Sequence, residues 1–220
     1  MLSQIEENYI KAIYNLSLSK SKRVSTNLIA KRIETKASSV TDMIQKLSEK
    51  GLVDYIKYQG VCLTDSGYKI AVKVVRNHRL WEVFLVDKLS YNWDEVHELA
   101  EQLEHIKSND LTEKLDAFLN YPSHDPHGDP IPDKEGNITH HKNIMLSSVQ
   151  PNEQCVVIGV MDSSSTFLKY LDRAGIELGS IISILRIEEF DGSMEVKING
   201  NQCSLSNQIT KNLYIKKQSL

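Results

Sequence analysis

The sequence predicts a mainly α chain with small β parts. It reads as a winged helix-turn-helix at 1–70, a helical domain at 71–140, a linker at 141–150 and a small β-barrel at 151–220. Two observations predict this. The apolar spacing is helical through most of the first 120 residues and turns to short alternating runs after 150. The charge is also blocked. Residues 1–76 hold 13 Lys/Arg against 7 Asp/Glu, residues 77–140 hold 5 against 14, and residues 141–220 hold 8 of each. The net charge of −3 hides this. A basic head suits a polyanionic partner and an acidic middle suits cations.

The elements follow in order. "SQIEENYIKAIYNLSL" (3–18) has helical spacing with Ile5, Tyr9, Ile13 and Leu16 inward. Ser25 can cap a short helix carrying Leu28, Ile29 and Ile33. After a turn at Glu34–Lys36, a helix over 37–50 carries Val40, Met43, Ile44 and Leu47 and stops at Gly51. Two β runs, 53–57 and 61–64, meet at a turn ending in Gly60, which completes the wing. A long helix runs from Tyr68 to Asp87, another fills much of 94–110, and a third lies near 110–120. "YPSHDPHGDPIPDKEGN" is a loop by its Pro, Gly, Asp and His content. Beyond 150, β runs at 154–160, 180–187, 194–198 and 213–217, a helix near 164–173, and turns at Asp191-Gly192 and Asn199-Gly200 give the barrel.

No apolar run approaches the roughly 20 residues of a membrane span, and "MLSQIEENYI" lacks the regions of a signal peptide. Cys62, Cys155 and Cys203 are odd in number and widely spaced, which suits a reducing cytoplasm and argues against a disulfide framework. No HExxH or nucleophile motif occurs, so an enzyme is not expected.

The helix from Ala37 presents Ser38, Ser39, Thr41, Asp42, Gln45 and Lys46 on its polar side. In a helix-turn-helix this segment enters the major groove, where short polar side chains meet base edges and phosphates. Lys31, Lys36, Lys46, Lys50 and Lys57 would neutralise phosphates around it.

"DEVHELAEQLEHIKSND" (94–110) poses a second question. On a continuous helix Val96, Leu99, Ala100, Leu103 and Ile106 form an apolar stripe, and His97, Glu101, Glu104 and His105 share one arc at its edge. Glu101 and Glu104 repel unless a cation lies between them. His78 and Glu82 stand at i and i+4 on the preceding helix, Asp125 and His127 follow in the loop, and Glu7 and Asn8 sit early in the first helix. Such residues are either a solvated flank or metal ligands.

Together "EENYIKAIYNL", "ASSVTDMIQKLSEKGLVDYIKYQGVCLTDSGYKIA", "NHRLWEVFLVD", "VHELAEQLEHI" and "PHGDPIP" resemble the diphtheria-toxin-repressor family, in its manganese-responsive branch, over nearly the whole chain. The resemblance implies a homodimeric, metal-dependent repressor that reads a palindromic DNA operator. It also implies a helical dimerisation and metal-binding domain and a Src-homology-like barrel. Carried over by position, it implies a primary metal set of Asn8, Glu101, Glu104 and His105 and a second of His78, Glu82 and His97. Asp125, His127 and Asp162 would be contributed by the loop and the barrel. Glu101 stands where iron-responsive members carry cysteine, Asn8 where manganese-type members carry aspartate, and Lys11 where shorter manganese regulators carry a carboxylate. The oxygen-rich set suits Mn²⁺, with Fe²⁺ as the alternative. A winged-helix regulator of a small organic effector is the competing expectation.

Overall fold

The computed structural model describes residues 2–19, 23–138 and 144–218. The proposed linker at 141–150 lies partly outside these. The basic head comprises α1 (Gln4–Ser19), α2 (Thr26–Ile33), α3 (Ala37–Glu49) and the hairpin of β1 (Val53–Ile56) and β2 (Gly60–Leu63). Ser25 caps α2 by accepting from the Leu28 N–H, and Glu34 closes it in the left-handed region, so the turn to α3 is tight. Val24 and Val61 exchange backbone hydrogen bonds of 2.7 and 2.9 Å, tying the wing to the strand before α2. Ile10, Ile13, Ile29, Val40, Ile44, Leu47 and Val61 are fully buried among these elements.

Two inward assignments are corrected. Ile5 is 61% and Leu28 49% exposed. In the first turn of α1 the buried position belongs instead to Glu6, whose Oε1 is 2.6 Å from Lys50 Nζ. Lys50 therefore serves this internal ion pair rather than standing free for a phosphate.

The helical domain consists of α4 (Asp65–Leu89), α5 (Val96–Leu103) and α6 (Asn109–Phe118). The expected helix through 106 stops early, at Leu103. Its end has identifiable partners. Asn77 Nδ2 on α4 donates to the Glu104 carbonyl at 3.1 Å, the Ile106 N–H closes a tighter turn on Leu103 O at 3.2 Å, and Ser108 caps α6. Glu104 still donates its N–H to Ala100 O at 2.8 Å as the last residue of the helical turn, and it and His105 are 1% and 9% exposed. Ile106, expected in the apolar stripe, is 39% exposed.

The C-terminal unit is a six-stranded antiparallel sheet in the order β3-β8-β4-β5-β6-β7. Its strands are β3 (Ile144–Met145), β4 (Gln154–Val160), β5 (Ile181–Ile187), β6 (Met194–Ile198), β7 (Asn201–Leu205) and β8 (Leu213–Lys217). Helices α7 (Ser165–Arg173) and α8 (Asn207–Thr210) and a 3₁₀ turn at Leu146–Ser148 complete it. Among the described residues the expected barrel is an open sheet, bent by register shifts at Val157/Gly159 and Ile184/Arg186. Ile144 pairs with Ile215, and Leu146 and Val149 are fully buried, so residues read as the end of the linker belong to this core. Strand β7 was not anticipated from its polar sequence; it pairs with β6 across the expected Asn199-Gly200 turn.

The loop 121–131 fixes this unit to the helices. The Val160 N–H donates to His127 O at 2.9 Å, and Trp93 Nε1 donates to Asp172 Oδ1 at 2.8 Å. Gly128 has φ +86°, and a Cβ there would stand 2.2 Å from Ile158 O and 2.4 Å from Gly159 Cα. Both the backbone conformation and the backbone-to-backbone contact require glycine. Gly128→Ala is expected to loosen the loop from β4, seen as faster limited proteolysis within 121–131 with the C-terminal sheet still folded.

Candidate metal centre

Helix α4 supplies His78 and Glu82 one turn apart on a buried face, and α5 runs alongside with His97 and Glu101. His78 is central. Its Nδ1 is 2.6 Å from Glu104 Oε2 and its Nε2 is 3.0 Å from Glu82 Oε1 and 3.1 Å from His97 Nδ1. Carboxylate oxygens thus face both ring nitrogens, an arrangement that favours the protonated imidazole. Burial opposes that charge, but the Glu82 charge and the bonds to Glu104 and Glu82 outweigh it and raise the pKa to about 9. Burial likewise pushes Glu82 up, but His78 and the hydrogen bonds from His127, His78 and His97 hold it well below the usual carboxylate range.

Two groups of ligand atoms gather within 4.8 Å of one another: His78, His97 and Glu101, and Glu82, Asp125 and His127. The expected second set of His78, Glu82 and His97 stands together within 3.2 Å, and Glu82 also meets the loop residues. In this loop group, His127 Nε2 donates to Trp93 O at 2.9 Å, which leaves Nδ1 facing Glu82 Oε2 at 3.7 Å. Burial opposes the His127 charge, but the facing Glu82 carboxylate and the Asp125 charge raise the pKa to about 9. Burial, with the charges of Glu82 and Asp129, lifts Asp125 to about 7. Asp162 is not gathered with them. It is exposed, and its Oδ1 accepts from the Ser164 N–H at 2.8 Å.

The expected primary set lies where α1 meets the end of α5. Among the described residues, the buried side-chain atoms without a hydrogen-bond partner are Asn8 Oδ1, Glu104 Oε1, His105 Nε2 and Arg76 Nε. The first three belong to this set: Asn8 Oδ1 and His105 Nε2 each offer a lone pair, while Glu104 Oε1 is held in an ion pair 2.7 Å from Lys11 Nζ. His105 Nε2 and Glu104 Oε1 are 3.6 Å apart. Buried atoms of this kind cost about 1–3 kcal/mol each if left unmatched, so their coincidence here fits a site for a cation. His105 Nδ1 is 2.7 Å from Glu7 Oε2 and therefore carries the hydrogen, which keeps Nε2 as the open lone pair.

Two residues outside the expected sets shape the site. Glu7 orients His105, and Lys11 Nζ lies 2.6 Å from Glu101 Oε1 and 2.7 Å from the Glu104 carboxylate. Glu7, Asn8 and Lys11 share the face of α1 turned to α5, a pattern their i, i+1, i+4 spacing carried. The expected repulsion of Glu101 and Glu104 is thus offset by an internal ammonium. Lys11 also counters the burial that would raise the Glu101 pKa, and lowers it.

On the head, Lys36, Ser38, Ser39, Asp42, Gln45, Lys46 and Lys57 are exposed, and Thr41 is half-buried. The Thr41 hydroxyl donates to Ala37 O at 3.0 Å. Lys36 stands at the N-terminus of α3 and Lys57 at the wing tip, its Nζ 5.2 Å from the Tyr58 ring centre. No helix among the described residues is long and apolar enough to cross a membrane.

Comparison with known proteins agrees with this architecture. Family models match residues 1–61 (iron dependent repressor, N-terminal DNA binding domain), 64–133 (iron dependent repressor, metal binding and dimerisation domain) and 144–217 (FeoA domain). A solved structure described as a manganese-dependent transcriptional repressor complex with manganese superposes with a TM-score of 0.86 at 36% identity, covering 97% of this chain and 100% of that one. The HTH-type transcriptional regulator MntR of Oceanobacillus iheyensis is 39% identical over 52% of this chain and 77% of its own. The iron-dependent repressor IdeR of Mycobacterium bovis is 33% identical over 57% of this chain. The chain spans about half of that repressor, 54%, and 19% of a probable metal transport system membrane protein of Chlamydia trachomatis. The chain belongs to the diphtheria-toxin-repressor family of metal-dependent regulators.

Proposed function

We propose that this chain is a cytoplasmic, homodimeric transcriptional repressor that binds a palindromic DNA operator when it holds a divalent metal, Mn²⁺ before Fe²⁺. The observation that carries this is the pair of open lone pairs at Asn8 and His105 beside the Glu104 carboxylate, drawn from the DNA-reading head and the helical domain together. Bound there, a divalent cation supplies charge neutralisation and coordination between α1 and the end of α5. Asn8 offers a carbonyl oxygen from the head, Glu101 and Glu104 hard carboxylate oxygens, and His105 one imidazole nitrogen. That donor set suits Mn²⁺ or Fe²⁺ over softer ions, and no thiolate favours zinc. Glu82, Asp125 and His127, with His78 and His97 beside them, form a second candidate site against the C-terminal sheet. The relatives matched are metal-dependent, which speaks against the organic-effector reading.

The two heads would be held by an aromatic face of α4 and α6, where Trp81 meets Phe84 edge to face and Phe84 lies tilted against the 63%-exposed Phe118. A twofold dimer on this face would place both α3 helices for successive major grooves. Ser38, Ser39, Thr41, Asp42, Gln45 and Lys46 would face the base edges and backbone, with Lys36 and Lys57 on phosphates. Fluorescence anisotropy on DNA upstream of the chain's own gene, with and without each divalent metal, tests the reading. Tightening by Mn²⁺ and Fe²⁺ is expected; equal affinity with and without every metal would overturn it.

Metal binding should also depend on pH. The His78 and His127 pKa values near 9 mean that both rings hold an extra proton at neutral pH, which a ligand must give up. Affinity at the second site is expected to fall as pH drops from 8 to 6, by about tenfold per unit for each proton displaced. Calorimetry in buffers of different ionisation enthalpy counts the protons released.

A further inference from the structure

The region around Asn8, Glu101, Glu104 and His105 already contains a cation. Lys11 is only 8% exposed, and its ammonium contacts Glu101 at 2.6 Å and Glu104 at 2.7 Å. Glu104 is 1% exposed, and its other short contact with a cationic group is the 2.6 Å approach of His78 Nδ1. A buried carboxylate at Glu104 beside a half-buried one at Glu101 needs a counter-charge, and in the metal-free chain Lys11 supplies it. We infer that Lys11 is a tethered competitor for the divalent cation, setting the metal affinity below what the ligands alone would give. The inference rests on reading Asn8, Glu101, Glu104 and His105 as the metal set.

Three features support competition over simple support. A positive charge held against the same two carboxylates repels an incoming cation. By neutralising them, the ammonium also stabilises the metal-free state, which lowers the gain on loading. The lysine stem has somewhere to go. A cavity of about 480 Å³ beside the site is lined by Lys11, Arg32, Glu34, Glu98 and Glu101 among others, so a displaced ammonium meets the further carboxylates of Glu34 and Glu98 there, beside one guanidinium. Loading the site would exchange a flexible tether between α1 and α5 for coordination at Asn8. Lys11 would thus set the metal concentration at which the head becomes fixed.

The test is calorimetric titration of the full-length protein with Mn²⁺, comparing wild type with Lys11→Met, Lys11→Gln and Lys11→Arg. The two neutral variants should bind at least about tenfold more tightly, whereas Lys11→Arg, which keeps the charge, should not tighten. The rise in Tm on saturation with Mn²⁺ should likewise be larger for Lys11→Gln than for wild type, a readout that survives a less stable metal-free variant. Neutral variants that bind Mn²⁺ as weakly as wild type, or more weakly, would make Lys11 a support for the ligands and overturn the inference. A wild-type protein that takes up no Mn²⁺ would overturn the metal reading itself, which separates the two failures.

Discussion

Replacing His105 by alanine is expected to abolish the gain in operator affinity that Mn²⁺ confers. The substitution removes the single nitrogen of the proposed set, at an atom that is buried and otherwise without a partner. Moving a DNA-competent state from 1:99 to 99:1 requires about a 10⁴-fold preference, roughly 5.5 kcal/mol, so losing one donor of four is enough to collapse the response. The rest of the molecule should be spared. Glu7, released from His105, still lies 3.7 Å from Lys107 Nζ and is not left as an isolated buried charge. The aromatic face of α4 and α6 is untouched, so the dimer should persist in sedimentation. Non-specific DNA binding should keep the wild-type salt slope, about −0.9 per phosphate contacted, because the lysines of the head are unchanged. His124→Ala, at an exposed position beside Ser123, should respond to Mn²⁺ like wild type. A fully responsive His105→Ala protein would remove His105 from the site.

The largest loss of stability is expected from Arg76→Met. Arg76 is 6% exposed, and its guanidinium donates to Asp116 Oδ2 at 2.7 Å and to Pro132 O at 2.7 Å. It joins α4 to α6 and to the loop that carries Asp125 and His127. Methionine fills similar volume but strands the 7%-exposed Asp116 without its counter-charge. Removing one partner of a buried pair costs about 3–5 kcal/mol. Urea unfolding followed by tryptophan fluorescence should show that loss, with Trp81 on the affected helix. Arg76→Met with Asp116→Leu should recover part of it, since an apolar pair leaves no buried charge. A single variant as stable as wild type would show that Asp116 finds another partner.

The elements most legible in the sequence were those whose local signals agree with their packing. Ser25, Gly51 and Gly60 punctuate the head where the helices and hairpin turn, and Val40, Ile44 and Leu47 keep helical period through α3. Reading failed where a distant side chain decides the outcome. Nothing between Leu103 and Ser108 is a strong helix breaker; the break is set with Asn77, on another helix, taking the Glu104 carbonyl. Glu104 and His105, read as lying at the edge of the core, flank this contact and are buried. Ile5 looked inward by period, yet the position beside it is taken by a buried Glu6 that pairs with Lys50, 44 residues away. The site was legible as a list of ligand types on α1, α4 and α5. Periodicity places Glu82 beside His78, and the two stand 3.0 Å apart; what periodicity does not carry is the loop folding back through Gly128, which brings Asp125 and His127 to the same carboxylate.

The central claim is that one metal site joins the DNA-reading head to the helical scaffold. If so, metal and DNA must strengthen each other by the same factor. The direct measurement is the Mn²⁺ affinity of the full-length protein, titrated alone and again with saturating operator DNA, set beside the operator affinity with and without Mn²⁺. The account predicts that DNA tightens Mn²⁺ binding by the factor through which Mn²⁺ tightens DNA binding, and that His105→Ala removes both. An Mn²⁺ affinity that is the same with and without operator would contradict it.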